Sequence, residues 1–370
     1  MDRIGIYYWK CDRESAFHGT SDYLRDQTAT ADALRGVLAR RYGSDSASLR
    51  PAAEGQGNHR TFRARLAGRE VFIRTEDGPE GDDYLAVEAE VARRLSAAGV
   101  SVPETIDYDC ERREVPFAWQ VMPFLPWKDL NSHVKSGDID WSSVAPQIGR
   151  AIAHWQEISA PGFGPFSSSC ARRGELRALH ESSEGYYRLN LERHLRILTE
   201  GGFLSDVIAA RIVRAIDARA AALRIGRGVL VHKDLAVWNI LGTANEAKAF
   251  IDWDDCIVGD AMDDLSLMGV TGEDAATRQI VAAYAAERPL APDAAVRFWL
   301  CWLRNILFKA VIRLGAGYFK KRGDDFFLIG GGGDGETLAR LTREKIMRAL
   351  TAVERGFDFD ELDGKKETSP

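Results

Sequence analysis

Between residues 49 and 76 apolar and polar positions alternate, with Phe62, Ala64 and Leu66 marking one strand and Val71, Phe72 and Ile73 a second, joined at Ala67-Gly68. Helical periods flank this meander. From Thr28, residues Ala31, Leu34, Val37 and Leu38 share one side, and the pattern stops near Gly43; over residues 84–98 the apolar side is Leu85, Val91, Ala92 and Leu95. Residues 102–106 read as the start of a strand. The apolar run 116–122 halts at Pro123-Phe124-Leu125-Pro126, because two prolines in four residues forbid a regular helix or inner strand. Beyond residue 126 helical periods dominate. They cover 144–158, 174–198, 203–225, 272–287, 292–314 and 336–355, with 160–166 as a loop between the first two. The stripe Trp299, Leu303, Ile306, Ala310 and Val311 reads as core, with the polar residues Arg304, Asn305 and Lys309 beside it. The pattern predicts an α+β chain.

Residues 228–268 carry the densest chemistry. The run Val229-Leu230-Val231 ends at His232-Lys233-Asp234, with Asn239 after four more residues; Ala249-Phe250-Ile251 ends at Asp252-Trp253-Asp254-Asp255, and Asp260 and Asp264 follow. A turn at 242–245 pairs the two runs as neighbours and brings Asn239 close to Asp252. Transfer of a γ-phosphoryl group asks for a carboxylate to orient the acceptor hydroxyl and for oxygen ligands to magnesium, a hard cation. An Asp, an Asn and a second Asp at strand ends outline such a site.

The segments HKDLAVWN, FIDWDD and GDAMDDLS, in that order, resemble the aminoglycoside phosphotransferase and choline kinase family, whose members share the protein-kinase-like fold. That resemblance implies a bilobal chain with a small antiparallel-sheet N-lobe plus one helix and a larger helical C-lobe. Residues 28–125 would be the nucleotide-binding lobe ending in a hinge, and 126–360 the helical lobe. Residues 1–27 would be an extension of unassigned role and 361–370 a polar tail. By position, Asp234 resembles the catalytic base, His232 the brace of its loop, and Asn239 and Asp252 the magnesium ligands. Asp260 and Asp264 take structural and helix-capping roles. In the first lobe, the turn containing Gly55, Gly57 and Asn58 resembles the phosphate loop. Arg74, whose guanidinium can bridge phosphate oxygens, has Glu88 rather than Glu90 as its expected partner. The backbone around Met122 and Phe124 would meet adenine. The implied cofactors are ATP or GTP and magnesium. Lys233 departs from the family, which mostly has a small residue there, and leaves the substrate side of the loop open.

Composition narrows the partners. The chain of 370 residues has a net charge of −6 and a pI near 5.8, which argues against nucleic acid as a partner. Five scattered cysteines make neither a disulfide framework nor a zinc site, and no apolar run spans a membrane, so a reducing cytoplasm is the expected setting. His154, His180 and His194 have no second donor at metal spacing. The leading expectation is a magnesium-dependent phosphotransferase acting on a small hydroxylated acceptor of aminoglycoside or aminocyclitol type, whose ammonium groups would meet Asp252, Asp254 and Asp255. A sugar, a nucleoside or an amino-alcohol such as choline is the alternative, and Trp238, Trp253 and Trp299 could cage a cation. A non-catalytic nucleotide-binding regulator on the same fold is the reading from another class. A protein kinase is disfavoured, since neither Asp-Phe-Gly nor Ala-Pro-Glu follows Asp252.

Overall fold

The computed structural model describes residues 3–13, 27–43, 48–52, 59–76, 81–323 and 333–363. Gly55, Gly57 and Asn58 therefore lie outside the described residues. The chain forms two compact units: a smaller one from the described residues of 27–126 together with 167–176, and a larger one from 3–13, 127–166 and 177–363. The first helix, α1 (Trp9–Asp12), belongs to the larger unit.

In the smaller unit, helix α2 (Thr28–Tyr42) precedes strands β1 (Arg50–Pro51), β2 (Arg60–Leu66) and β3 (Arg69–Glu76); helix α3 (Leu85–Ala97) and strands β4 (Asp107–Asp109) and β5 (Ala118–Pro123) follow. The sheet order is β1-β2-β3-β5-β4, with every pairing antiparallel. Alternation explains the packing. Phe62, Ala64 and Leu66 face the same side as Val71 and Ile73, where they meet Trp119 and Val121 and the Leu34, Val37 and Leu38 stripe of α2. Each such large side chain stabilises by roughly 1.5–3 kcal/mol when fully buried. Register sets Arg74 opposite Thr61 on one flank and Gln120 on the other. The strand expected from residue 102 begins only at Asp107; Pro103 has no N–H to give a ladder.

The larger unit continues with β6 (Lys128–Asp129), α4 (Leu130–Ser136), α5 (Trp141–Trp155) and β7 (Phe163–Phe166), while α6 (Ser168–Ala171) counts with the smaller unit. Then come β8 (Ala178–His180), α7 (Ser183–Arg188), α8 (Leu191–Glu200), α9 (Asp206–Ala218), β9 (Val229–Val231), β10 (Ile240–Thr243), β11 (Glu246–Phe250) and β12 (Ile257–Gly259). Four helices complete it: α10 (Met262–Thr271), α11 (Asp274–Glu287), α12 (Ala294–Gly315) and α13 (Gly335–Arg355). Two small sheets result, ordered β11-β10-β6 and β8-β7-β12-β9.

Two expectations are corrected here. Residues 163–166 form strand β7 rather than a loop, and the helix expected over 174–198 is strand β8 followed by α7 and α8. Gly162 is the reason for the first: at φ 86° it lets the chain run against the carbonyls of Ala178 and His180, where a Cβ would collide. The break between α7 and α8 falls at Asn190, in the left-handed region at φ 57°. Deeper in the unit, Gly269 of α10 leaves room for the Trp302 ring of α12, whose contact fixes the spacing of these two buried helices.

Residues 3–13 are an integral part of the larger unit. Tyr7 stacks on Tyr186 with centroids 5.0 Å apart, Tyr8 on Phe308 at 4.4 Å, and the Arg304 guanidinium covers the Tyr7 ring at 3.5 Å. Asp12 accepts from the N–H groups of Tyr7 and Tyr8 at 2.7 and 3.1 Å. Its other oxygen lies 2.7 Å from His194 Nε2, and Arg304 donates to His194 Nδ1 at 2.9 Å. Cys11 Sγ is also 3.4 Å from that Nε2, so His194 does have donors beside it, contrary to expectation. They do not make a metal site. With Nδ1 accepting from Arg304, Nε2 must carry the proton and donate to Asp12.

Burial first, and the neighbouring Arg304 charge second, push the His194 pKa from 6.5 down to about 4. Burial would raise the Asp12 carboxyl, but the hydrogen bond and charge of His194 and the bonds from the Tyr8 N–H and Asn190 together outweigh that and lower it. Both folded values lie below the unfolded ones: the share of His194 is present above about pH 6.5 and is lost as pH falls towards 4, whereas that of Asp12 is lost only as pH falls below its ordinary value of 3.8. The histidine share is on the order of 3 kcal/mol. Thermal melts between pH 7 and 4 should show a fall in midpoint that His194→Gln flattens; an equally steep fall in that variant would remove His194 from the account.

Candidate active site

Strand β9 carries the chain into the loop 232–239, and a single buried carboxylate fixes the start of that loop. Asp264, fully buried on α10, accepts from the backbone N–H of His232 at 2.9 Å and of Lys233 at 3.1 Å, and from Trp155 Nε1 at 3.1 Å. Burial raises its pKa to about 7 against the pull of those donors. The helix-capping role expected for Asp264 is therefore corrected: it grips the loop. Asp260 does bond the N–H of Met262 at the start of α10, and it pairs with Arg297 at 3.0 Å.

His232 is buried between the loop and β11. Its Nδ1 accepts from the Asp234 N–H at 3.4 Å, which leaves Nε2 to donate to the Ile251 carbonyl at 2.9 Å. Burial holds its pKa below the ordinary histidine value, so the ring is a neutral brace that also packs on Trp253 at 4.4 Å. Lys233 adopts a left-handed backbone at φ 70°, which turns its side chain into the core. There Nζ donates to Tyr7 Oη at 3.0 Å, Asp263 Oδ2 at 2.8 Å and Asn305 Oδ1 at 3.0 Å, using all three of its donors. Lys233 thus belongs to the scaffold rather than to the substrate side.

Asp234 follows, 6% exposed. Asn239 donates its amide to the Asp234 carbonyl at 2.8 Å. Since an amide facing a carbonyl must present its NH₂, the Asn239 Oδ1 is the group left to offer a cation. The β10–β11 hairpin sets Ile240 opposite Phe250, and the Ile251 N–H donates to the Asn239 carbonyl at 3.0 Å, so Asn239 and Asp252 are drawn together as expected. Asp252 is half-buried and left-handed, at φ 67°. One carboxylate and one amide oxygen, both hard donors, fit a magnesium ion completed by phosphates and water.

Cations surround Asp234. The Lys309 ammonium on α12 lies 2.8 Å from its Oδ1. Burial by itself would raise the Asp234 carboxyl; the charges of Lys309 and Lys10 outweigh it, and the pKa falls below the ordinary carboxylate value. Of the acids expected to hold a cationic acceptor, Asp255 is buried beside Arg3 at 3.4 Å, and the backbone carbonyl of Asp254 takes Arg3 at 3.1 Å; the nearby Asp263 holds Lys233. Burial, with Asp254 next to it, raises Asp255 to about 7. Of the polar residues beside the α12 stripe, only Lys309 reaches the loop carboxylate. Arg304 is bound to the Tyr187 and Leu189 carbonyls and His194, and Asn305 to Lys233 and Asp263.

In the smaller unit Arg74 Nη2 meets Glu88 Oε2 at 2.5 Å, both side chains 5% exposed. Glu90 turns instead to Arg93 and Arg94. Met122 sits within β5 opposite Phe72, while the Phe124 N–H donates to the Glu70 carbonyl at 3.1 Å and the Phe124 ring lies under Arg63. That N–H, one group of the backbone expected to meet adenine, is therefore taken up within the sheet.

The sequence profile of the Phosphotransferase enzyme family, APH, matches residues 48–299. The chain belongs to this family. It is accordingly a phosphotransferase with an α+β, kinase-like fold. No curated protein sequence matches it. Among solved structures, aminoglycoside phosphotransferase APH(4)-Ia is 18% identical with a TM-score of 0.60, the match covering 87% of this chain and 99% of that one. A thermostable mutant of that enzyme has been solved in ternary complex with ADP and hygromycin B. Macrolide 2′-phosphotransferase MphH from Brachybacterium faecium is 19% identical with a TM-score of 0.52, covering 77% of this chain and 93% of that one. At these identities the likeness is one of fold.

Sequence reasoning left Arg3, Tyr7 and Lys10 unassigned. The signal was present in the aromatic run 6–9, which a solvated extension has no reason to carry. Replacing Asp264 with Ala leaves three N–H donors without their acceptor, at roughly 1–3 kcal/mol each. Denaturant unfolding of Asp264→Ala should show a loss of at least about 3 kcal/mol, and a loss under 1 kcal/mol would mean the loop start is held by other groups.

Proposed function

We propose that the protein transfers the γ-phosphoryl group of ATP, or GTP, to a hydroxyl of a small molecule. The observation that carries this reading is the loop in which Asp234, kept ionised, lies beside Asn239 and near Asp252 on a braced backbone. Asp234 would orient the acceptor hydroxyl and receive its proton. A bond forms between that oxygen and the γ-phosphorus, the bond from phosphorus to the bridging oxygen of the β-phosphate breaks, and the nucleoside diphosphate leaves. Asn239 and Asp252 would hold magnesium, which offsets charge on the phosphates when bound. Arg74, steadied by Glu88, would grip the nucleotide phosphates in the smaller unit.

An aminoglycoside or aminocyclitol acceptor has the support of the fold shared with APH(4)-Ia. A second reading of the acceptor, a sugar or nucleoside without multiple ammonium groups, is favoured by one observation: Asp255 and Asp263 are buried against the chain's own Arg3 and Lys233, so fewer carboxylates are left for a polycation.

Release of ADP from Mg-ATP, followed over aminoglycosides, aminocyclitols, sugars, nucleosides and amino-alcohols, tests both. One class should stimulate turnover, and Asp234→Asn should lower it by about 10²- to 10⁴-fold. Nucleotide binding with no turnover across the whole panel would leave the regulatory reading instead.

A further inference from the structure

The catalytic loop carries no cation of its own on the side of its aspartate. Lys233 is turned inward to Asp263, and the four residues after Asp234 are Leu235, Ala236, Val237 and Trp238. A cation nevertheless stands there, and it comes from another element. Along one face of α12, at four-residue spacing, Asn305 bonds Lys233, Lys309 bonds Asp234 and Arg313 bonds Thr342. The Lys309 and Asp234 side chains are each about a tenth exposed, at 10% and 9%, and a buried pair of this kind costs desolvation that simple core packing would not.

We infer that Lys309 is a positioning residue for the transfer, holding the Asp234 carboxylate in place against the acceptor hydroxyl and supplying from α12 the positive charge that the loop lacks. This rests on the reading of Asp234 as the base. With one oxygen held by Lys309 at 2.8 Å, and with Asn239 donating to the backbone carbonyl at 2.8 Å and to the other carboxylate oxygen at 3.4 Å, the carboxylate is held in one orientation for meeting a hydroxyl. As the hydroxyl proton passes to Asp234 and the oxygen bonds phosphorus, the Lys309 charge stays beside the reacting oxygen and opposes the negative charge gathering there. The charged and titratable groups facing Lys309 are Asp234 from the loop, Lys10 from α1 and Arg313 from its own helix; His232 faces Asp234 from the loop start.

Two measurements decide it. The first needs neither nucleotide nor acceptor: lysine labelled with carbon-13 is incorporated during expression, and the Lys309 resonance is assigned by its absence from Lys309→Arg. Burial lowers the Lys309 pKa and the Asp234 carboxylate opposes that, so its titration midpoint should fall further in Asp234→Asn; an unmoved midpoint overturns the pairing. The second is Mg-ATP turnover, with water or the best acceptor of the panel. Lys309→Met should lower kcat by about 10²-fold with KM for Mg-ATP within about threefold, a loss of the size that follows from removing one preorganised donor or charge. Lys309→Arg should recover much of the rate and move its alkaline decline to higher pH, because a guanidinium stays charged. A Lys309→Met enzyme above half the wild-type kcat, or one that loses only in KM, overturns the inference. If Lys309→Met does not fold, the alkaline limb of Lys309→Arg decides, and an unmoved limb overturns it. Asp234→Asn separates the two failures: an inactive Asp234→Asn beside an active Lys309→Met sinks the inference alone, whereas an active Asp234→Asn sinks the reading of the site and the inference with it.

Discussion

The loop 232–239 depends on one buried carboxylate. Asp264 has no charged partner of its own among the groups that bond it; it holds two successive backbone N–H groups and an indole N–H. Those bonds force the chain to turn at Lys233, into a left-handed backbone that a lysine would not choose alone. The turn sends Lys233 into the core against Asp263 and Asn305 and leaves Asp234 to Lys309, one turn further along α12. A loop held by side chains of α5 and α10 inherits the rigidity of those helices, which is what a group-transfer site needs when a misplacement of about 1 Å costs roughly 10²-fold in rate.

Charge neutralisation is the second constraint. Around the loop stand Asp234, Asp254, Asp255, Asp260, Asp263 and Asp264, all but Asp260 under 9% exposed. So many buried carboxylates are tolerated only where cations or N–H groups answer them. The answers come from far along the chain: Arg3 from the first residues, Arg297 and Lys309 from α12. This explains why residues 3–13 fold into the larger unit. Without Arg3 and the Tyr7 hydroxyl, Asp255 loses its guanidinium and Lys233 loses a bond. The clamp of Asp12, His194 and Arg304 then fastens the segment at its far end.

The acid cluster also shows how a charge pattern can mislead. In the string Asp252-Trp253-Asp254-Asp255, the acids suggest a surface waiting for ammonium groups. In the fold, Trp253 is buried against His232 and Trp155, and Asp254 and Asp255 go inward with it. Only Asp252 keeps partial exposure.

By itself the sequence determined the elements whose signals are local: the alternating strands β2 and β3, the stripes of α2 and α12, the order of the loop aspartate, its asparagine and the later Asp252, and through these the family. Strand β7 and the break of 174–198 were not legible, because they depend on where Gly162 meets the carbonyls of β8. Glu88 could not be told from Glu90 by periodicity, since both are buried and only the position of Arg74 across the fold separates them. Lys233, Lys309 and Arg3 were decided by the tertiary structure alone. A lysine carries the same charge wherever it stands; which carboxylate it meets depends on contacts spanning 30, 75 or 252 residues, and no local pattern records those.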